Sequence, residues 1–74
     1  MTNYPAISFR DLIKKVKKLG FQQSRQKGSH IRFEHPDGRK VTIPDHGNRD
    51  VPNGLLMKII RYDLEMDFKD FFSK

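Results

Sequence analysis

An α+β fold, in the order helix, three antiparallel strands, helix and a short appended helix, is predicted by three observations. Apolar residues recur at helical spacing in two blocks, Phe9, Leu12, Ile13, Val16, Leu19 and then Leu55, Leu56, Ile59, Ile60, Leu64. Between the blocks, residues 31–34 and 40–43 alternate apolar and polar about the turn sequence His35-Pro36-Asp37-Gly38-Arg39, as the two arms of a hairpin do. With 74 residues, the chain is read as one domain, because a domain near this size buries only about 60% of its unfolded surface and cannot divide that core.

The elements follow in order. Ser8, with Asp11 three residues later, resembles a capping box with Asp in the Glu/Gln place, and Gly20 supplies a stop, so residues 9–19 read as an amphipathic helix. Its polar arc carries Arg10, Lys14, Lys15, Lys17 and Lys18. Residues 21–26 are polar except for Phe21 and suit an edge strand that returns through a turn at Lys27-Gly28.

In the turn that follows, Pro36 presets φ and Gly38 accepts a left-handed conformation, which gives a three-residue hairpin with a G1 bulge. That turn sets His35 opposite Arg39, Phe33 opposite Val41 and Ile31 opposite Ile43, so one face is apolar. The other face then pairs Glu34 with Lys40 and Arg32 with Thr42. Residues 45–53, rich in Asp, Asn, Gly and Pro, read as a loop. A second helix carries the second apolar block, its start blurred among Asp50, Pro52 and Gly54. Phe68, Phe71 and Phe72 suggest a last helical turn or two docked by aromatics.

Composition narrows the function. Fifteen Lys and Arg against nine Asp and Glu give a net charge of +6, a field that attracts phosphate backbones or acidic partners. Most of the cations fall in the first forty residues, whereas Asp63, Glu65, Asp67 and Asp70 cluster near the other end. Without cysteine there is neither a disulfide framework nor a thiolate metal site. The first five residues lack the basic and apolar pattern of a secretory leader, and no apolar run approaches the roughly 20 residues that span a bilayer. A cytoplasmic protein with no membrane attachment is expected.

The candidates for chemistry are histidines among cations. His30 opens the second strand and, by alternation, faces away from the core; if the third strand ran on past Pro44, His46 would be its diagonal neighbour on that face. RNA carries a 2′-hydroxyl beside each phosphodiester. An imidazole, titrating ordinarily near pH 6.5, suits either removal of that proton or protonation of the departing 5′ oxygen. Lys27, Arg25 and Arg32 are placed to hold the phosphate, and the backbone amides near Gly28 and Ser29 are further anion donors. No metal or other cofactor is needed by this scheme. Ser29 and His30, adjacent on a strand, point to opposite faces and do not form a nucleophile–base pair. From the residues alone, a non-catalytic double-stranded-RNA-binding module stays open beside a nuclease.

The stretch "KKVKKLGFQQSRQKGSHIRFEHPDGRKVTIPDHGN", followed by a helix with Gly-x-Leu-x-x-Ile, resembles the HicA family of toxin ribonucleases from Ser8 to about Leu64. The resemblance implies a fold like the double-stranded-RNA-binding domain, with two helices on one face of a three-stranded antiparallel sheet. It also implies ribosome-independent cleavage of mRNA, with the histidine of Gly-Ser-His, here His30, as the catalytic group, and a HicB-type antitoxin as neutralising partner. The family's Pro-x-His falls on His46, an RNA-contact candidate. Arg49-Asp50-Val51-Pro52-Asn53 stands where many relatives carry lysines, so this loop is expected to hold less phosphate.

Overall fold

Ser8 opens the first helix as its spacing predicts: the Oγ accepts the Asp11 amide at 3.1 Å, and α1 runs over Phe9–Lys18 in the computed structural model, which describes residues 5–73. The leader reading rests mainly on residues 1–4, which lie outside the described residues. Phe9, Leu12 and Val16 are buried, and the lysine arc faces solvent apart from the half-buried Lys15. Gly20, at φ +103°, ends the helix in a conformation that an L side chain rarely adopts.

The sheet has the order β1 (Gln22–Lys27), β2 (His30–Glu34), β3 (Lys40–Pro44), all antiparallel. The β2–β3 register is the predicted one at each pair from His30↔Pro44 to Glu34↔Lys40. Its turn closes through the His35 amide to the Arg39 carbonyl and the Gly38 amide to the His35 carbonyl, both 2.9 Å, with Gly38 at φ +102°. In β1 the register slips between Gln23 and Arg25, so Ser24 is a bulge.

Ile31, Phe33, Val41 and Ile43 point to one side and meet α1, Phe21, Val51 and the second helical block in one contiguous core. That block comprises α2 (Asn53–Lys58), a π-helical continuation over Ile59–Asp63 and α3 (Phe68–Phe72). Leu56, Ile59, Ile60 and Leu64 fill the core from above, and Phe68 and Phe71 close its end. Both helical layers therefore cover one face of the sheet, and the other face is open. No helix among the described residues is long and apolar enough to cross a membrane.

Candidate nucleic-acid interface

The open face collects the residues that the sequence singles out. Lys27 and His30 are directly opposed across a two-residue turn, Gly28-Ser29, in which Gly28 sits at φ +60° and Ser29 on the ordinary side. A positive φ at the first central residue alone is the pattern of a type II′ hairpin turn, whose twist matches the strands it joins. Glycine is therefore required there by the backbone. The Gly28 carbonyl is held by the Gln26 side-chain amide at 3.0 Å, and the Ser29 carbonyl accepts the Asp45 amide at 2.6 Å. The turn is pinned from both sides.

Alternation does the rest. Ile31 and Phe33 are buried, so His30, Arg32 and Glu34 face outward, and Arg25, opposite Arg32, joins them. One face thus carries Lys27, His30, Arg25 and Arg32 in two adjacent cross-strand rows. Two arginines directly opposed repel each other, a local cost to the sheet. Arg32 offsets part of it by lying with its Nε 3.3 Å from a Glu34 carboxylate oxygen, at a distance for ion pairing but without a well-directed hydrogen bond. The Nε is itself buried, while the Arg32 side chain as a whole stays partly exposed at this face.

His46 goes elsewhere. The third strand stops at Pro44, and Asp45 folds the chain into an Asx turn through its Oδ1 and the Gly47 amide at 3.2 Å. The following loop is tied to the start of α1: the Phe9 and Arg10 amides donate to the Arg49 and Gly47 carbonyls, both 3.0 Å, and the Val51 amide to Ile7 at 2.8 Å. The His46 ring consequently stands edge-on to Phe9, with centroids 5.0 Å apart, on the helix side of the sheet. Strand alternation beyond Pro44 would have set it beside His30. The loop hydrogen bonds to the α1 amides are what direct it to Phe9 instead.

The family model described as the HicA toxin of bacterial toxin-antitoxin matches residues 9–63 of the chain. The chain belongs to the HicA toxin family. No curated protein matches it. The HicA match spans α1 through the π segment and so contains the whole open face, whereas α3 lies beyond it.

Two residues of this HicA domain matter structurally without having been singled out by sequence reasoning. Arg39 donates from Nη1 to the Leu64 carbonyl at 2.6 Å and from Nε to Asp37 at 2.8 Å, and its guanidinium lies 5.1 Å over the Phe21 ring. It joins the β2–β3 turn to the end of the second helical block. His35 takes the Asp37 amide on Nδ1 at 3.1 Å and packs on Phe21 with centroids 5.0 Å apart. A Cβ on Gly20 would come within 2.9 Å of the His35 Nε2, a second reason for glycine there. The only hint in the sequence was the turn motif itself, since contacts this distant in the chain leave no periodic trace.

Proposed function

We propose that this HicA toxin is a metal-independent endoribonuclease that cleaves mRNA in the cytoplasm and is neutralised by a HicB-type antitoxin. The observation that carries the reading is the single open face on which His30 stands directly opposite Lys27 and one row from Arg25 and Arg32. The chemistry needs an imidazole at the 2′-hydroxyl or the leaving oxygen and cations on the non-bridging phosphate oxygens. Acting as base, His30 takes the 2′ proton while that oxygen attacks phosphorus, and the bond to the 5′ oxygen breaks. Acting as acid, it delivers a proton to that 5′ oxygen. Lys27, Arg25 and Arg32 stabilise the charge that builds on the non-bridging phosphate oxygens, and the Gly28-Ser29 turn is the close-approach point for the backbone. With the rings of His35 and His46 on Phe21 and Phe9, His30 is the one imidazole on this face among the described residues, so water serves as the other proton carrier. His46, exposed at the rim of α1, is placed to touch RNA outside the reacting group.

The test is incubation of the purified protein with a long single-stranded RNA in excess chelator, wild type beside His30→Ala. Fragments from the wild type alone are expected. The variant should stay folded and still bind the antitoxin, because an exposed substitution of this kind changes stability by no more than about 0.5 kcal/mol. Intact RNA in both lanes with a shifted native-gel mobility would replace the nuclease by a non-catalytic RNA-binding module.

A further inference from the structure

The cationic face does not end at Arg32. Along the same cross-strand row, Thr42 stands opposite Arg32, and Lys40 lies one outward position further along β3, opposite Glu34. Past the free edge of β3, the junction of α2 with the π segment brings up Lys58 and Asp63, and together with Arg32, Lys40 and Thr42 they line a depression beside the buried Val41. Its charged and hydroxyl groups are the cations Arg32, Lys40 and Lys58, the Thr42 hydroxyl and one anion, Asp63, which holds the Lys58 Nζ at 3.3 Å. Outside it, Glu34 lies 3.3 Å from the Arg32 Nε. The Lys58–Asp63 pair is solvent-accessible on its Lys58 side, and pairs of this kind are worth about 0–1 kcal/mol, so a phosphate can displace the carboxylate from Lys58.

Spacing gives the depression its relation to His30. Outward residues along a strand repeat at about 6.6–6.8 Å and neighbouring strands lie about 4.8 Å apart. One step along β2 and one across to β3 therefore lead from the imidazole to Thr42, a stride comparable to the phosphate repeat of an extended RNA strand. Charges continue in that direction and not past the Gly28-Ser29 turn. We propose that the depression formed by Arg32, Lys40, Thr42 and Lys58 is a subsite for a second phosphate of a single-stranded RNA, next along the strand from the one held at His30. The proposal rests on the ribonuclease reading for the position of the first phosphate. Lys58 and Lys40 neutralise the second phosphate, and the Thr42 hydroxyl donates to it. Asp63 sets the affinity by competing for Lys58.

The experiment measures binding of an uncleavable 2′-O-methyl oligonucleotide series, two to six nucleotides long, across a range of salt. Lys40→Gln combined with Lys58→Gln should weaken the hexamer roughly tenfold and reduce the salt slope by about 1.4, two contacts at about 0.7 each for a single strand. The dimer should bind equally well to both proteins. Asp63→Asn should act in the opposite direction and tighten the hexamer, which loss of a merely structural ion pair would not do. Unchanged hexamer affinity and slope in the double variant, or weakened binding by Asp63→Asn, would overturn the subsite. Cleavage of the matching ribo-oligonucleotides is read in parallel: if the wild type cleaves none, the nuclease assignment fails while the binding arms still decide the subsite.

Discussion

At the scale of single residues, two side chains near one turn carry more of the fold than their exposure suggests. Arg39 answers the Leu64 carbonyl, one of the acceptors that a helix end leaves without an internal partner. Replacing it by Ala strands that half-buried oxygen and removes a charge-assisted bond, so Arg39→Ala should cost about 1–3 kcal/mol in chemical denaturation. Arg39→Lys should recover only part, since an ammonium cannot reach Asp37 and Leu64 as a fork does. RNA cleavage per folded molecule should survive both changes, because Arg39 is turned to Phe21 and not to the open face.

Asp37 supplies the matching pH dependence. The backbone amide of Arg39 donating to its carboxylate, with further help from the Arg39 side chain and His35, holds its pKa below the ordinary 3.8. A lowered carboxyl stabilises the fold above its unfolded value, and that contribution disappears as pH falls through the lower folded value. The melting-temperature gap between wild type and Asp37→Asn should therefore be present above about pH 5 and close as pH falls below about 3.8. A gap that persists into strong acid would mean that Asp37 acts through shape alone.

At the scale of elements, what sequence could read was whatever local chemistry decides. The helix cap at Ser8, the Pro36–Gly38 turn and the alternation of Ile31, Phe33, Val41 and Ile43 each specify their own geometry within a few residues, and the register follows from them. Since that register also faces His30 and Arg32 outward, half of the candidate site was legible with the hairpin. Arg25 and Lys27 were legible only because the bulge at Ser24 lies on the far side of them from the turn. A slip one residue pair closer would have turned one of them inward, and nothing in "FQQSRQ" marks where it falls. His46 was illegible because its direction depends on hydrogen bonds to α1 amides 36 or more positions away.

The π segment is a second case. Its hydrogen bonds widen toward the end, from the Leu64 amide to Ile59 at 2.8 Å and from Met66 to Ile60 at 2.9 Å, and the chain then leaves through Glu65 at φ +54°. Sequence signals expect glycine at such a position, and here there is none. The left-handed conformation costs an L residue roughly 1–2 kcal/mol, partly cancelled in glycine by its greater entropy loss. Glu65→Gly should accordingly stabilise the domain by about 0.5–1 kcal/mol, which for a chain of this size is a rise of roughly 2–8 °C in Tm. No rise would place the widened helix end, and not residue 65, in control of the exit.

At the scale of the whole molecule, charge and core divide the labour between the two ends of the chain. Lys27, His30, Arg25 and Arg32 hold the open face and the exposed α1 cations the helix side, while Glu65, Asp67 and Asp70 gather with Arg61 around a cleft near the last helix, so a polyanion is disfavoured only at that acidic end. The family match stops at residue 63, yet α3 beyond it is not an ornament for a partner: Phe68 is 8% exposed and Phe71 fully buried in the common core. The Lys15 ammonium lies 5.6 Å over the Phe71 ring, so α3 also touches the helix that begins the fold. Stability of about 0.05–0.15 kcal/mol per residue gives a chain this short roughly 4–11 kcal/mol in all. Removing a buried phenylalanine costs about 3–5 kcal/mol, from roughly a quarter to the whole of that total. Phe71→Ala should therefore lower Tm by well over 10 °C and reduce RNA cleavage only in proportion to the unfolded fraction, with Phe72→Ala, half-buried, costing markedly less. If Phe71→Ala melted like the wild type but lost the antitoxin, α3 would be an interaction tail after all, and the core would have to close without it.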